Sequence, residues 1–451
     1  MKDDSRSAEL TERVLEAVSE QVRELATWLV EQREANLRDL EGGLTRQGHR
    51  LLTRMLEVVL AARASDGPRA GAWCHECGGA ATWYPPRAKT VHLLLGDVPV
   101  ARDYAYCAAC RSGWAPLDAE LGIDQSGRSP RLVETVALLG TELSFGAAAK
   151  RLEQICEVWL SPSQVETVTE GIGQTLAAEH EAAATAALDP RAVPVQEVLD
   201  RGEAELPWLV VMLDGVYAPL RDGVTEVKVA ALTRAGPGLD PAEGRKPRLG
   251  RWRYVVETTD LARFGRLVWY EAQRLGAERV SRILVIADGA AWIWKLADRY
   301  FLKHQAILDF WHAVQHLWTL GTARFGDHDP RVKAWVGRAK SRLRQGEIER
   351  LLVGWERVAP ADAAVWAEEL TYFHNQAPRM AYDLARHAGM PIGSGAVESA
   401  NRHVVGLRVK QAGMHWTEPG LRGVLALRSL LRSGDWDSTW DAHPLPLKLA
   451  S

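Results

Sequence analysis

Long apolar runs are missing from this 451-residue chain: no uninterrupted stretch approaches the roughly 18 residues that a membrane-spanning helix needs. The first ten residues, MKDDSRSAEL, mix acids with bases and lack the apolar segment of a secretory leader. Together these absences predict a cytoplasmic protein with no membrane partner. Net charge is also scarce, because 55 Lys and Arg against 58 Asp and Glu leave −3. A chain so balanced is not a general polyanion binder, so any contact with nucleic acid must come from local basic patches. What remains is an ordinary soluble composition, 47% hydrophobic and 25% charged, at a length that predicts two to four domains and a large core.

Cysteine is rare too, five in all, yet four of them are grouped. Cys74-His-Glu-Cys77 is followed after 29 residues by Cys107-Ala-Ala-Cys110. A two-residue gap lets both sulfurs of a pair reach one tetrahedral ion, so the two pairs predict one structural zinc held by Cys74, Cys77, Cys107 and Cys110. A disulfide or redox pair is the alternative. The spacer KTVHLLLGDVPVARDYAYC contains two strand-like runs around Gly96-Asp97, which suits a ribbon of knuckle, hairpin, knuckle. Cys156 stands alone in a helical pattern and is expected to be a buried thiol.

Ahead of the ribbon, Val14, Val18, Val22, Leu25 and Leu29 recur three or four apart, the period of an amphipathic helix. That segment either packs on its own chain or pairs with a second copy. Beyond the ribbon, FGAAAKRLEQI reads as a helix. Ser161-Pro162-Ser163-Gln164 then starts another, with a serine cap, proline at the first helical position and glutamine at the third. The pair is either an ordinary helical hairpin or a helix-turn-helix that reads DNA through Gln164, Thr167 and Thr169.

From residue 205 the pattern turns to strands: WLVVMLDGVYAPL, TEVKVAALTRA and WRYVVETTD in series, the last two separated by a Gly/Pro-rich loop. LARFGRLVWYEAQRLGA follows as a helix, RILVIAD as a buried strand, AAWIWKLADRYF as a helix and HQAILDFW as a fifth strand. Three sequential strands, then helix and strand in alternation, is the order of an RNase H-like fold with a mixed sheet. In that order the first and fourth strands lie side by side and parallel, and both end in Asp-Gly, at Asp214 and Asp288. A hairpin turn explains Asp-Gly at 214 equally well, but not at 288, where the downstream segment is helical. Two carboxylates brought together repel unless a cation neutralises them, and magnesium does so with oxygen ligands alone. A third acid completes a two-metal site for phosphoryl displacement. Glu398 is the candidate, with a surface pair to Arg402 as the plain alternative.

Strand signals are absent from residues 313 to 388. Within them RVKAWVGRAKSRLR carries Arg331, Lys333, Arg338, Lys340, Arg342 and Arg344 and no acid, around an apolar stripe of Val332, Trp335, Val336, Ala339 and Leu343. This is either the basic patch that the net charge demands or a solvated helix face. His312 and His316 have an HxxxH spacing but lack the glutamate of a zinc hydrolase.

MLDGVY around Asp214, VIADGA around Asp288, DFWH at 309 to 312 and, above all, PIGSGAVESANRHVVGLRVKQAGMHW at 391 to 416 resemble bacterial insertion-sequence transposases of the DDE class, specifically the ISKra family. The likeness runs from the ribbon to about Leu431. It implies Asp214, Asp288 and Glu398 as a catalytic triad holding two magnesium ions, for which manganese could substitute, with a helical insertion before the glutamate. Asp309 and His312 match an acid-x-x-His motif of related groups such as the Mutator-like transposases, and are expected to steady the site or handle nearby DNA. Arg408 and Lys410 fall within the matched segment and are expected either on phosphates or as solvated charges. Trp416 is the residue expected to stack on a displaced base.

The expected organisation is a helical segment (1–70), a zinc ribbon (71–118), a helix-turn-helix-like region (119–195), an RNase H-like core in two parts (200–312 and 391–432) around a helical insertion (313–390), and an extended tail (433–451). The expected activity is binding of the element's inverted repeats, hydrolysis to a 3'-hydroxyl, and transfer of that strand to target duplex DNA. A homo-oligomer would carry this out at the bacterial nucleoid. A domesticated regulator that only binds DNA, and an RNase H-like nuclease that cuts by shape without joining, are the competing readings.

Overall fold

The computed structural model describes residues 2–64, 72–74, 76–238, 246–258 and 260–442. The chain divides into two compact units, Met1–Ile172 with Asp437–Ser451, and Gly173–Trp436. Among the described residues no helix is long and apolar enough to cross a membrane.

The first unit begins with two long helices, α1 (Lys2–Glu31) and α2 (Leu37–Ala64). Gly43 lets them approach, because a Cβ there would fall on the Trp28 ring. A four-stranded sheet follows in sequential order: β1 (Ala72–Trp73), β2 (Ala80–Leu93), β3 (Gly96–Cys107) and β4 (Ser112–Trp114). The β2–β3 hairpin turns at Leu94-Leu95, two residues earlier than Gly96-Asp97, with Gly96 opening β3 at positive φ. Its register shifts between Tyr84 and Arg87, where Pro85 and Pro86 cannot donate to the ladder. Leu60 of α2 joins Val91, Val98, Val100, Leu117 and Ile123 in one apolar cluster, so α2 packs on the hairpin.

Next come α3 (Pro116–Leu121), α4 (Pro130–Glu142), α5 (Phe145–Cys156) and the long α6 (Pro162–Ala186), within which the division between the units falls. The capping box at the start of α6 is present: Ser161 N–H donates to Gln164 Oε1 at 2.8 Å and Gln164 N–H to Ser161 Oγ at 3.2 Å. Cys156 is only half-buried at the end of α5, and burial raises its thiol.

The second unit is built on a mixed six-stranded sheet: β5 (Trp208–Leu220), β6 (Gly223–Gly236), β7 (Arg248–Leu249), β8 (Arg253–Glu257), β9 (Arg282–Ala287) and β10 (Gln305–Leu308). β5 pairs antiparallel with β6, which pairs antiparallel with β8, while β5, β9 and β10 run parallel in the order β10-β9-β5. Helix α7 (Leu261–Arg274) connects β8 to β9, and α8 (Ala291–Tyr300) connects β9 to β10. The apolar runs are buried on both faces, as parallel strands between layers must be: Leu209, Val210, Val211 and Leu213 in β5, and Leu284 to Ala287 in β9. The fifth strand stops at Leu308. Phe310 and Trp311, expected within it, instead begin a helix, because the Asp309 side chain caps that helix's first turn.

Five helices then follow without a strand, as the sequence predicts: α9 (Phe310–Phe325), α10 (Arg331–Arg344), α11 (Ile348–Trp355), α12 (Ala363–Gln376) and α13 (Tyr382–His387). Trp335, Trp355, Trp366 and Phe373 form their aromatic core. Helix α14 (Gly395–Ala400) continues as a π-helical segment, Asn401–Gly406, into α15 (Leu407–Val409), and α16 (Glu418–Arg432) packs on β8. The tail is not extended throughout, because α17 (Trp436–Ala442) opens it. Asp435, the residue before α17, is held in a buried ion cluster with Arg253 and Arg274. Residues 443–451 lie outside the described residues.

Candidate functional site

Strand register explains why two apolar runs end in acids. Leu213 of β5 pairs with Ala287 of β9, which pairs with Leu308 of β10. The next residue on each parallel strand is an aspartate: Asp214, Asp288 and Asp309. Three aspartates therefore stand in one row where the parallel pairing ends, and Asp309 N–H donates to the Ala287 carbonyl at 2.7 Å.

Each acid is held differently. Asp214 is half-buried; its Oδ1 accepts from the Gly215 amide at 2.7 Å and its Oδ2 from Asn401 Nδ2 at 2.6 Å. Burial pushes the Asp214 carboxyl above the ordinary aspartate range, and the neighbouring Asp288 charge pushes the same way. Asp288 Oδ1 accepts from Ala290 N–H at 3.0 Å. Gly289 sits at φ +107°, and a Cβ there would stand 3.0 Å from Leu308 Cδ1, so both conformation and space favour glycine. At 214 the glycine serves a different end: Gly215 continues the strand, and a Cβ on it would strike the Glu226 carboxylate.

Asp309 is 2% exposed and makes no outward-facing ligand. Its Oδ1 accepts from His312 N–H at 2.6 Å, capping α9, and its Oδ2 accepts from Ser394 N–H just before α14. One carboxylate thus ties the end of β10 to the helix that carries Glu398. Glu398 is exposed in the first turn of that helix. Among the described residues no ion pair links it to Arg402, which is also exposed. Asn401, three residues on and hence on a neighbouring position of the helix surface, bonds Asp214. The helix of Glu398 therefore docks against the middle of β5, where its parallel pairing with β9 stops.

His312 Nε2 lies 3.3 Å from His316 Nε2, and His316 Nδ1 lies 2.8 Å from Glu369 of α12. His316 stacks on Tyr372 at 3.7 Å between centroids, and the Tyr372 hydroxyl donates to the Asp288 carbonyl at 3.2 Å. Gln376 Nε2 donates to the Gly289 carbonyl at 3.1 Å. Helix α12 thus grips the Asp288-Gly289 turn at two points. Sequence reasoning missed Asn401, Tyr372 and Gln376. The spacing of Asn401 from Glu398 was a usable signal; nothing in the sequence links α12 to that turn.

In the first unit the four cysteines converge. Cys74 Sγ and Cys110 Sγ are 3.3 Å apart, Cys77 Sγ and Cys107 Sγ 3.6 Å, and all four ligand atoms lie within 4.8 Å of one another. Thiolates at about 2.3 Å around a tetrahedral ion are separated by roughly 3.8 Å, whereas a disulfide needs about 2.05 Å. The cluster fits a metal such as zinc. The Cys110 amide, then the Cys77 and Cys110 thiols, lower Cys107 to about 7, while the hydrogen bond shared with Cys74 pushes Cys110 up to about 12. Among the described residues this is the sole group of three or more potential ligands so close together; the carboxylates do not converge as tightly.

The expected DNA contacts divide. Gln164 and Thr167 are exposed on α6, although Gln164 Oε1 is used by the cap and the Thr167 hydroxyl returns to the Ser163 carbonyl at 2.9 Å. Thr169 is buried against Gly140. On α10, Arg331 pairs with Asp329 and Arg342 with Glu347, each at 2.8 Å, while Lys333 and Arg338 are exposed. Lys340 lies over the Trp311 ring at 4.3 Å and Arg344 over Phe310 at 4.8 Å.

Arg408 is a correction to both of its expected roles: it is fully buried, its guanidinium 4.9 Å from the Trp416 centroid. Trp416, 5% exposed, donates from Nε1 to the Val409 carbonyl at 3.0 Å. Such a ring has no free face for a base. Lys410 is exposed, and partial burial lowers its ammonium value. The chain matches no protein-family model and no curated protein sequence.

Proposed function

We propose that this chain is a DDE-type transposase, with an RNase H-like core as its second unit and a zinc ribbon and helix-turn-helix in its first. The observation that carries the reading is the row of aspartates one residue beyond Leu213, Ala287 and Leu308 on three parallel strands, with the Glu398 helix joined to it through Asn401. Asp214 and Asp288, whose mutual repulsion favours a cation, would hold magnesium together with Glu398. When bound, two such ions would stabilise the attacking and leaving oxygens of a phosphodiester displacement.

The chain's own groups divide the remaining work. Asn401 fixes one oxygen of Asp214 and leaves the carboxylate oriented; Asp309 holds the entry to α14; Tyr372 and Gln376 fix the turn after Asp288. The exposed bases Lys333, Arg338, Arg402 and Lys410 would take phosphates, and Gln164 and Thr167 of α6 would face the element's ends. The four cysteines would hold zinc as a structural ion.

The test incubates purified protein and magnesium with labelled DNA carrying the element's ends and a supercoiled target, comparing wild type with Glu398→Gln. Wild type should cleave and join, and the variant should bind without doing either. Cleavage without joining would favour the shape-selective nuclease, and binding without cleavage by both proteins would favour the regulator.

A further inference from the structure

Helix α9 exposes two tryptophans where a solvent face would carry polar side chains. Its outward positions are Trp311, Gln315, Trp318 and Thr319, with Trp311 53% and Trp318 45% exposed. The opposite side of the helix, Phe310, Ala313, Val314, Leu317 and Leu320, already supplies its core contacts. The two indoles are seven residues apart, hence two turns and about 10 Å along one face. The row begins beside Asp309, at the β10 end of the row of acids: a Cβ on Gly393 would lie 3.4 Å from Trp311 Cδ1 and 3.6 Å from Asp309 Oδ2.

A lane of positive charge runs beside these rings. Lys340 places its ammonium 4.3 Å from the Trp311 centroid, and Lys333, seven residues before it, shares its side of α10. Between them Gly337 leaves open space, since a Cβ there would meet no atom within 4 Å. Aromatic faces flanked by bases are what unpaired nucleotides bind: the rings stack on bases of any sequence and the cations take the phosphates. Duplex bases, already stacked on one another, offer no such faces.

We infer that the α9 face, Trp311 and Trp318 with Lys340 and Lys333 alongside, is a binding site for single-stranded DNA that starts beside Asp309. The inference rests on the transposase reading for the source of that strand, the end of a cleaved or opened duplex.

Fluorescence anisotropy of the full chain, without magnesium, on a labelled oligothymidine of about 20 nucleotides and on a duplex of equal length tests it directly. The double variant Trp311→Ala with Trp318→Ala should lose about tenfold or more in single-strand affinity while duplex affinity moves by less than about twofold. The corresponding Phe pair should keep most of the single-strand affinity and guards against loss of fold. Unchanged single-strand affinity, or equal losses on both DNAs, would overturn the assignment. If the Ala pair instead changes only the oligomeric state by size-exclusion chromatography, the face belongs to a second copy of the chain and the assignment is likewise wrong. No cleavage is required, so a chain that never cuts but loses single-strand binding selectively keeps this inference while the transposase reading falls.

Discussion

Asn401 Nδ2 donates to Asp214 Oδ2 at 2.6 Å, joining residues 187 positions apart. The bond links the central strand to the helix that carries Glu398, and it opposes the effect of burial by favouring the ionised form of Asp214. Removing it in Asn401→Ala should cost about 1.5–3 kcal/mol of stability, the range for a hydrogen bond to a charged group. If the bond also positions Glu398, cleavage should fall by about 100-fold, as small misplacements of reacting groups do. Urea denaturation and single-turnover cleavage measure the two effects; undiminished cleavage would remove Asn401 from the site.

Metal binding at Asp214 and Asp288 should be visible without catalysis. Magnesium at about tenfold above its dissociation constant should stabilise the wild type by about 1.4 kcal/mol. Asp214→Asn and Asp288→Asn should each lose that increment. Because the Asp214 carboxyl is raised by burial and by Asp288, its ionised form weakens the metal-free fold above the raised value, and that penalty disappears as pH falls below the ordinary value of about 3.9. Asp214→Asn should therefore be no less stable than the metal-free wild type at pH near 7 once the altered hydrogen bonds are matched, a comparison open to differential scanning fluorimetry.

For the cysteine cluster we expect one zinc per chain by elemental analysis, lost on treatment with a strong chelator. Cys107→Ala or Cys74→Ala should release it and unfold the ribbon, because binding free energy at a structural zinc is folding free energy. A metal-free ribbon with unchanged melting would mean that the β2–β3 hairpin is held by α2 alone.

Asp309→Ala removes an N-cap and leaves the Ser394 amide unsatisfied. The expected loss is about 2–4 kcal/mol, combining a cap and a buried donor. Asp309→Asn should be milder, since its carbonyl still accepts one bond. If both variants melt like wild type, the tie between β10 and α14 is not a stability element.

Glu271 is buried among Arg253, Arg274 and His180. Burial alone would raise its carboxyl, but the His180 hydrogen bond and the two arginines win and hold it well below the usual range. A depressed carboxyl contributes stability that is full above its unfolded value of about 4.3 and is lost as pH falls toward the folded value. Glu271→Gln should cost about 3 kcal/mol or more at pH near 7, since it leaves buried arginines short of charge. The gap between variant and wild type should narrow below pH of about 4; a gap independent of pH would refute the ionic account.

The sequence by itself determined the elements. Apolar runs without alternation fixed β5 and β9 as strands buried on both faces, the Ser161–Gln164 box fixed the start of α6, and CxxC spacing fixed which four sulfurs meet, because each is a local consequence of side-chain period or chain reach. It also marked Asp214 and Asp288 as a pair. It misplaced Arg408 and Trp416, because a cation lying on an indole can be wholly buried and no local pattern distinguishes it from a surface base. Only the tertiary structure decided that Leu213, Ala287 and Leu308 align, that Asn401 reaches Asp214, and that Trp311 rather than Trp416 stands open. Those are matters of register and packing between segments distant in the chain, 187 positions apart for Asn401 and Asp214, set by the whole sheet and its covering helices and written in no single stretch of chain.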